Sequence, residues 1–499
     1  MSEEIKTMHD RRVWHLVPPP ANKPVIGNRW VFTVKRDENG NIVRFKSRLV
    51  AQGFKQIKGE NYDETFSPVV DFSVVRLFFS ILVSNLKWSN IQADVKAAYL
   101  YAPLSEEIYM RQPLGFVDES KVDWVCKLDR AIYGLHQSGR LWFYELNSVL
   151  IELGFVRLES CNCVYYHGNN TLLLVYVDDI VIFGRTQSVA EKTVDLLKTK
   201  FDLKIMGRTT KLLGVNFEYS EDSILIHQSD YIGEVFKRFK DFNPSISSLP
   251  ISKAVKYSKS DCSVSNADVE NMSKFPYRSV LGCLSFLASR TRPDISYAVN
   301  IFSQFQENPG MLHWNGLLRL LGYVNYTSNL KLHLFCKDIK LFIFSDADFA
   351  SNRDDRISMS GQILFLDRSP ISWRTNKQKS ITLSTMESEF VSMCDAVREL
   401  IWFDNIIRDC VSATILQKQP PLPVLYADNQ PAIDFTKSPI ENRRSRHIDV
   451  KLLFIREWLF EDKFKLHYIS SKSNLADPFT KPLTKYDLKH FISQIFLSD

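Results

Sequence analysis

Long apolar runs are missing from this sequence, and so is any regular pattern of cysteines. No apolar segment approaches the roughly 18 residues of a membrane-spanning helix, so we expect no membrane partner. The N-terminus, MSEEIKTMHDRR, lacks the apolar core of a signal peptide. The eight cysteines are scattered, and Cys161 and Cys163 form a lone C-x-C without a second pair at zinc spacing. We therefore expect reduced, structural cysteines in an intracellular chain.

Charge of one sign is not in large excess. The 499 residues are 45% hydrophobic and 24% charged, with a formal net charge of +6, as is typical of globular proteins and compatible with a polyanionic partner. The length suggests about two to four domains. No internal repeat is present, and the serine-rich stretch from Asn243 to Met272 predicts an exposed connection.

Alternating apolar and polar residues predict a β-hairpin near the N-terminus. Residues 29–54 form two such runs around Asn39-Gly40, a dipeptide that favours hairpin turns. Residues 29–58 contain eight lysines and arginines against two acids, so the hairpin is strongly basic. Apolar residues at helical spacing predict helices over 73–85, 188–201 and 277–334. A second α/β pattern begins at Lys340.

Two adjacent aspartates, Asp178 and Asp179, interrupt the apolar run LLLVYVDDIVIFG. The flanking segments predict paired strands with the aspartates at the turn, where solvated carboxylates are common. A third acid, Asp94, follows a short apolar segment in NIQADVKAAYLYAP. Nucleotidyl transfer needs two hard cations held by oxygen ligands, and three carboxylates on neighbouring strands would serve. These residues alone leave both a solvated turn and a two-metal site open.

Further acids stand at the ends of predicted elements in the C-terminal part. LFIFSDADFA predicts a strand ending near Asp346 or Asp348, and VLYADNQPAI predicts one ending at Asp428. SITLSTMESEFVSMCDAVRELIWF predicts a helix with acids in its first turn, and SSKSNLADPFTKPL contains Asp477. Acids at the ends of well-separated elements suit a second two-metal site, one that directs a water at a phosphodiester.

Many ordered blocks resemble those of copia-type LTR retrotransposons. The Y-x-D-D box of reverse transcriptases is present at Tyr176 to Asp179. Further matching blocks are KSRLVAQGF, NYDETFSPVV, DVKAAYLYAPL, KLDRAIYGLHQSGRLW, KLLGVNFE and TRPDISYAV. The C-terminal acids lie in blocks similar to D-A-D-W-A, S-T-x-E-A-E-Y, A-D-N and L-A-D-x-F-T-K of the copia RNase H. The chain is identified as a Pol fragment of this type, with reverse transcriptase and RNase H parts.

The resemblance implies an α/β protein with an α+β palm. A right-hand polymerase of fingers, palm and thumb would be followed by a connection and an RNase H-like α/β domain. The predicted segments are an N-terminal arm (1–24), fingers and palm (25–205), thumb and exposed connection (206–275), helical connection (276–339), RNase H-like domain (340–485) and C-terminal tail (486–499). The chain starts close to the fingers and has no protease or integrase motif, so we expect a processed product or a fragment of a polyprotein.

In the polymerase part, the resemblance assigns Asp94, Asp178 and Asp179 to two Mg²⁺ ions, with Mn²⁺ as an alternative. Lys46 and Arg48 would lie over the triphosphate of the incoming dNTP, because arginine suits bidentate phosphate contact and lysine acts as a point charge. The alternative for both is a solvated face.

The resemblance also assigns two residues to recognition of the dNTP. Tyr99 lies five residues after Asp94, where retroviral enzymes carry an aromatic that blocks a ribose 2′-OH. A core aromatic is the alternative. Gln137 matches a glutamine that contacts the incoming nucleotide.

The second pair of ions is assigned by the resemblance to four acids, Asp346, Glu389, Asp428 and Asp477. Asp346 is preferred to Asp348 on its match to D-x-A-A-type strand ends. Glu389 is preferred to Glu387, because the catalytic glutamate of the wider RNase H family directly precedes a large apolar residue. His447 follows a basic cluster, Arg443, Arg444 and Arg446, that would meet the hybrid backbone. A structural and a substrate-contacting role for His447 both stay open.

The resemblance therefore implies RNA- and DNA-directed DNA synthesis, with hydrolysis of the RNA strand of the hybrid. The implied partners are the RNA template, primer, RNA–DNA hybrid and dNTPs, together with integrase or capsid of the same element. The implied location is a cytoplasmic virus-like particle or the nucleus. The competing interpretation is a domesticated, non-catalytic copia-derived nucleic-acid-binding protein. Such a protein would have lost some of its acids, and all seven are present.

Overall fold

The structure is a computed structural model that describes residues 1–36, 41–438 and 449–497. The predicted turn at Asn39-Gly40 and the basic cluster with His447 lie outside the described residues. The chain forms two units: one comprises residues 1–70 and 89–208, and the other residues 71–88 and 209–499. None of the described helices has the length and apolar composition needed to cross a membrane. All eight cysteines are free thiols.

The strands are given in chain order. They are β1 (Trp14–Val17), β2 (Val25–Ile26), β3 (Asn28–Arg36), β4 (Ile42–Ala51), β5 (Ser89–Val95), β6 (Tyr109–Arg111), β7 (Val125–Leu128), β8 (Val156–Arg157), β9 (Val164–His167), β10 (Thr171–Tyr176), β11 (Asp179–Gly184), β12 (Leu203–Gly207), β13 (Lys211–Leu212), β14 (Val215–Tyr219), β15 (Ser223–His227), β16 (Lys331–Phe335), β17 (Leu341–Asp348), β18 (Met359–Leu366), β19 (Ser369–Lys377), β20 (Val424–Ala427), β21 (Lys465–Tyr468) and β22 (Phe496–Leu497).

The α-helices follow the same order. They are α1 (Ser2–Asp10), α2 (Phe72–Phe78), α3 (Ser138–Glu152), α4 (Gln187–Lys198), α5 (Ser229–Phe239), α6 (Asn266–Ser273), α7 (Tyr277–Arg290), α8 (Ser296–Ser303), α9 (Met311–Tyr326), α10 (Thr385–Ser412), α11 (Gln430–Lys437), α12 (Asp449–Phe460) and α13 (Lys485–Ile495).

The main sheet of the first unit has the strand order β12-β5-β11-β10-β9-β8. Its central hairpin, β10 and β11, is buried almost throughout, because α3 and α4 contribute to the same apolar core. Gly184 ends β11 where α4 begins to pack. A Cβ on Gly184 would lie only 2.4 Å from the backbone nitrogen of Ala190, so glycine permits this close approach.

The basic hairpin predicted from the sequence is present as β3 and β4, which pair antiparallel from Asn28 opposite Ala51. A second sheet has the order β1-β7-β6-β2. The predicted N-terminal arm, 1–24, differs from the structure, which has the helix α1 and the strand β1 there. Ile5 and Met8, three residues apart and thus on one helix face, are buried in a core that also contains Leu49.

The predicted fingers and palm, 25–205, are interrupted by a segment that belongs to the second unit. This segment, 71–88, contains α2 and a π-helical stretch over Phe79–Asn85, and residues 72–84 are all buried. Arg76 is buried as well, and it donates to Ile371 O at 2.6 Å and to Arg290 O at 2.7 Å. Burial lowers the pKa of Arg76 to about 9. A helix buried on every side has to be enclosed by other elements, here those of the second unit.

The second unit also holds a helical core built from α5, α7, α8 and α9. The helix predicted over 277–334 is three helices followed by the strand β16. Arg292 and Asp294 form a buried ion pair at 2.7 Å between them, and the Tyr323 hydroxyl donates to Asp294 at 2.7 Å. The predicted C-terminal tail, 486–499, instead continues α13 and forms β22, which pairs with β16 in the sheet β13-β14-β15-β16-β22.

The remaining sheet of the second unit has the order β19-β18-β17-β20-β21. β17 runs antiparallel to β18 and parallel to β20, and β20 runs parallel to β21. The 28-residue helix α10 packs on β17, with Ser392 Oγ donating to Asp346 O at 2.8 Å. The carboxyl ends of the parallel strands meet at one edge, so acids at those ends converge there.

The buried ion pair of Arg292 and Asp294 leads to a prediction about stability. Replacing Asp294 (Asp294→Ala) leaves the Arg292 charge buried without its carboxylate, so the free energy of unfolding should fall by about 3–5 kcal/mol. Asp338 and Lys340 form a pair with the same sequence spacing but with both side chains more than half exposed. Asp338→Ala should leave the free energy of unfolding nearly unchanged, because solvent screens this exposed pair. Urea denaturation followed by circular dichroism measures both, and similar losses would contradict this account.

Candidate active sites

The strand pairing brings two predicted acids face to face. Asp94, near the end of β5, is the direct cross-strand partner of Asp179, the first residue of β11. Directly opposite side chains of an antiparallel pair lie on the same face, and like charges there are destabilising. Gln92 precedes Asp94 by two residues, and its amide donates to Asp179 Oδ1 at 3.3 Å. Burial raises the pKa of Asp179; the Gln92 hydrogen bond opposes this, while Asp178 and Asp94 raise it further.

The third acid, Asp178, lies in the turn of the same hairpin. Tyr176 pairs with Asp179, so Val177 and Asp178 alone connect the strands. Val177 has a φ of 55°, as two-residue hairpin turns require but β-branched residues rarely adopt. The Trp142 indole donates to Val177 O at 2.8 Å and thereby helps to hold the turn. Strained turns of this kind are characteristic of functional sites.

Asp94 and Asp178 line a cleft of about 680 Å³ together with Lys46 and Arg48 of β4. The cleft thus combines carboxylates on one side with cations on another. Helix α1 also lines the cleft, and its Glu3 forms an ion pair with Arg44 at 2.7 Å. The charge pattern suits a polyanion that carries metal ions.

Tyr99 is half-buried and its ring packs edge-on against Tyr133, with 5.1 Å between the ring centroids. Burial raises the pKa of Tyr99, and the nearby charge of Asp178 raises it further. The Arg48 guanidinium lies 5.1 Å from the centroid of the Tyr133 ring. Tyr99 therefore stands beside the candidate metal ligands and also against the core, and its role stays a prediction.

Gln137 is buried and does not line the cleft. Its carbonyl accepts from the Gln56 amide at 3.0 Å, and its own amide donates to Asn61 O at 2.7 Å. The side chain is thus engaged within the protein in this structure. Contact of Gln137 with a nucleotide stays a prediction, and it requires this buried network to open.

Three of the four C-terminal acids converge in the second unit. Asp346, Asp428 and Asp477 each offer a carboxylate oxygen, and these atoms lie within 4.8 Å of one another. Ser345 on β17 is the parallel partner of Ala427 on β20, so the acid that follows each strand position stands at the same edge. Gly361 pairs with Asp346, and a Cβ there would lie 2.7 Å from Thr480 Cγ2. The glycine lets the segment carrying Asp477 approach the sheet.

Two glutamates of α10, Glu387 and Glu389, are candidates for the fourth acid of this cluster. Burial and the charges of Asp346 and Asp428 raise the pKa of Glu389, so this carboxyl group lies near the cluster. Glu387 instead accepts the backbone N–H of Leu383 at 2.8 Å, while Ser384 Oγ accepts the N–H of Glu387 at 3.2 Å. Ser384 thus caps the helix, and the Glu387 carboxylate binds the residue that precedes the cap. The structure places Glu389 at the cluster and Glu387 in the cap, and ion binding by Glu389 stays a prediction.

The cluster has the properties of a cation site. Oε2 of Glu389 and Oδ1 of Asp477 are buried and have no hydrogen-bond partner among the described residues. Burial raises the pKa values of Asp346 and Asp477, and Asp346 raises that of Asp477 further. Lys481 lies 3.0 Å from Asp477 Oδ2 and 3.8 Å from Asp346 Oδ2, and Thr480 donates to Asp346. Crowded carboxylates with unused oxygens are ligands that hard cations prefer.

Some residues of both sites had no role in the sequence analysis. They are Gln92, Tyr133, Trp142, Thr480 and Lys481. The strand period of two puts Gln92 on the same face as Asp94, a signal that could have identified it. Lys481 follows Asp477 by four residues in the quoted block, but only the fold brings it to Asp346. Trp142 and Tyr133 are aromatic residues without a local signal for their hydrogen bond and ring contacts.

Comparison with known proteins finds a family match for the part of the chain that contains the first candidate site. Residues 11–253 match the family model described as reverse transcriptase (RNA-dependent DNA polymerase). This region, just under half of the chain, is therefore similar to reverse transcriptases. It contains Asp94, Asp178 and Asp179, and also the β4 cations Lys46 and Arg48, which line the cleft. The acids of the C-terminal cluster lie beyond the matched residues.

Curated relatives extend the similarity to nearly the whole chain. The retrovirus-related Pol polyprotein from transposon TNT 1-94 of Nicotiana tabacum is 36% identical over 98% of this chain and 37% of its own length. The polyprotein from transposon RE1 of Arabidopsis thaliana is 34% identical over 99% of this chain and 33% of its own length. The predicted resemblance to transposon Pol proteins is confirmed. The chain spans about a third of the length of these relatives.

A solved structure shares the fold. The foamy viral protease-reverse transcriptase in complex with double-stranded DNA superposes with a TM-score of 0.51 at 12% identity, covering 94% of this chain and 69% of that one. At this identity the match concerns the fold alone. The predicted mixed α/β fold class is confirmed.

The two glutamates of α10 yield a test of the cation site. Mg²⁺ at 100 times its dissociation constant should stabilise the protein by about 2.7 kcal/mol, which thermal unfolding detects. Glu389→Gln removes a carboxyl group whose ionisation the crowded cluster opposes, so the variant should be more stable than the wild type without Mg²⁺, by about 1 kcal/mol, and should gain less from Mg²⁺.

Glu387→Gln is the matched control, since glutamine also serves in the cap. It should gain as much from Mg²⁺ as the wild type. The reverse behaviour of the two variants would assign the ligand to Glu387.

Proposed function

We propose that the chain is an RNA- and DNA-directed DNA polymerase with ribonuclease H activity, which copies retrotransposon RNA into DNA. The observation that carries the proposal is the pair of carboxylate clusters, one in the segment of the reverse transcriptase family and one in the C-terminal α/β part. DNA synthesis forms a phosphodiester bond and RNA hydrolysis breaks one, and both reactions take place on an RNA–DNA duplex. The template, primer, dNTPs and a particle or nuclear location belong to the same proposal.

Each cluster is proposed to hold two Mg²⁺ ions, or Mn²⁺ in their place. When bound, the ions would neutralise phosphate charge and lower the pKa of the attacking hydroxyl or water. Asp94, Asp178 and Asp179 would hold them in the polymerase site. The other four acids, Asp346, Glu389, Asp428 and Asp477, would hold them in the nuclease site. The orphaned oxygens of Glu389 and Asp477 support this assignment.

The remaining residues of the polymerase cleft would bind and select the nucleotide. Lys46 and Arg48 face the cleft from β4, where they would bind the triphosphate and hold its reacting phosphorus near the primer end. Tyr99 would occupy the space of a ribose 2′-OH. Tyr133, between Arg48 and Tyr99, would support both side chains.

In the nuclease site, Lys481 would add a protein cation to the two metal ions beside the scissile phosphate. Its ammonium group already lies within 4 Å of two acids, with distances of 3.0 Å to Asp477 and 3.8 Å to Asp346. The Thr480 hydroxyl orients Asp346 from the same short segment. A primer-extension assay on poly(rA)/oligo(dT) with Mg²⁺, and a cleavage assay on labelled hybrid, test the two activities. The non-catalytic alternative predicts binding without either.

The two activities should be separable by single substitutions. Asp178→Asn reduces the charge that holds the polymerase ions, so DNA synthesis should fall by about 100-fold or more while RNA cleavage in a preformed hybrid continues. Asp428→Asn should have the opposite effect. Primer extension and hybrid cleavage measured on the same preparations give both rates.

Both variants should bind hybrid like the wild type, because cations and not these acids attract the backbone. Intact cleavage in Asp428→Asn would exclude an RNase H site of this kind. Loss of both activities in a variant that is folded by circular dichroism would contradict the assignment of separate sites.

Tyr99 should act against ribonucleotides by steric clash. Tyr99→Val should admit rNTPs about tenfold better, a loss of about 1.4 kcal/mol of discrimination. Tyr99→Phe retains the ring and should keep the selectivity. Single-nucleotide incorporation kinetics with dTTP and UTP provide the measurement. Unchanged selectivity in Tyr99→Val would indicate that Tyr99 has only a structural role in the core.

A further inference from the structure

A pocket of about 520 Å³ lies next to the nuclease acids in the second unit. One wall comes from the serine-rich connection and includes Lys253 and Lys256. The other wall comes from the loop between β17 and β18 and includes Arg353 and Arg356. The serine-rich pattern predicted only an exposed connection here, whereas part of this connection builds a pocket wall.

The pocket adjoins the acid cluster along two chain segments. Asp348 lines the pocket and follows Asp346 by two residues on β17, so both side chains lie on the same face of the strand. Pro482 also lines the pocket, and it directly follows Lys481, which lies 3.8 Å from Asp346. A chain bound at the acids therefore passes the pocket.

The loop of the pocket is held in a defined conformation. Ala350 and Arg356 have positive φ values of 50° and 58°, which residues with a Cβ adopt at a cost. Ala350 N donates to Ser358 Oγ at 3.0 Å, and the Asn352 amide donates to Gln304 Oε1 at 2.8 Å. The first bond joins the start of the loop to its last residue, and the second joins the loop to the residue that follows α8, so the wall is preorganised.

The charges of the pocket are unbalanced. The loop acids are engaged elsewhere, since Asp354 accepts the backbone N–H of Lys259 at 3.0 Å and Asp355 pairs with Lys377. The four lining cations, Lys253, Lys256, Arg353 and Arg356, form no ion pair within residues 1–36, 41–438 and 449–497. Four cations thus face one lining carboxylate, that of Asp348, and the pocket should attract an anion.

We propose that this pocket binds the phosphodiester backbone of the RNA–DNA hybrid beside the bond that is cleaved. The inference rests on the proposed nuclease function. Because the pocket adjoins the acid cluster, it suits a chain that extends from the cleavage point better than it suits a small free anion. Asp348 and Tyr297 in the lining add an acceptor and a hydroxyl that suit a sugar more than a phosphate. Lys253 and Lys256 would contribute backbone contacts from outside the α/β domain.

The test removes the two lysines in the full chain. Lys253→Ala/Lys256→Ala should raise the KM for hybrid cleavage about tenfold at 0.1 M salt, because each lost phosphate contact forgoes the release of about 0.9 counterions. The slope of log KM against log salt should fall by roughly 1 for each lysine, and kcat should be unchanged. Lys259→Ala/Lys274→Ala is the matched control, since it removes the same charge from the predicted segment 206–275 but outside the pocket lining. It should change KM less than about twofold.

Binding measurements keep the test independent of activity. Fluorescence anisotropy with labelled hybrid and with labelled double-stranded DNA should show the same weakening in the pocket variant. An equal loss for both duplexes assigns the contact to backbone phosphates, which both duplexes present, and a loss for the hybrid alone assigns it to a feature of the RNA strand such as the 2′-OH. Unchanged affinity and salt slope would overturn the pocket assignment. A wild-type protein that binds hybrid through the pocket but never cleaves it would overturn the nuclease proposal instead.

Discussion

Carboxylates of like charge repel one another, and the repulsion grows where neighbouring groups exclude water. Both candidate sites are built on this arrangement. Asp94 and Asp179 stand opposite each other on paired strands, and Asp346, Asp428 and Asp477 offer oxygens within 4.8 Å of one another. The surrounding structure maintains these positions through a strained turn at Val177, the Trp142 indole and the close approach permitted by Gly361. Such a cost is understandable where cations reverse the local repulsion.

The sequence predicted correctly which kind of element, strand or helix, carries most of the candidate acids. The hairpin carrying Asp178 and Asp179, the basic hairpin and the helix carrying Glu389 are present, because each has a local pattern of apolar residues. Tertiary placement was less accessible. The burial of residues 72–84 indicates a helix enclosed on all sides, but no local signal says which unit encloses it. Likewise the C-terminal tail forms β22 through a pairing with β16, more than 160 residues earlier, and long-range pairings leave little trace in a short window.

Side chains around the acids divide into those that the fold brings from afar and those that neighbour the acids in sequence. Gln92 and Thr480 lie within three residues of an acid in the chain, and both reach a carboxylate by a hydrogen bond. Tyr133 reaches Arg48 and Tyr99 only through the packing of the first unit. Gln137 shows the limit of a motif match, since its position agrees with the family pattern while its amide is engaged by Gln56 and Asn61. Motifs identify chemistry, whereas packing decides which atoms are available to a substrate.

The segment 71–88 has a consequence for how the protein is made. It leaves the ribosome long before the residues that enclose it, because Ile371, which accepts from Arg76, lies 295 positions later in the chain. At about 5–20 residues per second, that separation corresponds to roughly 15–60 s of translation during which an apolar helix lacks its native surroundings. A nascent chain in this state exposes surface that promotes aggregation, and it is a natural substrate for chaperones. Residues 1–208 synthesised alone would contain this helix without its partners, so the first unit cannot be separated at residue 208 without exposing it.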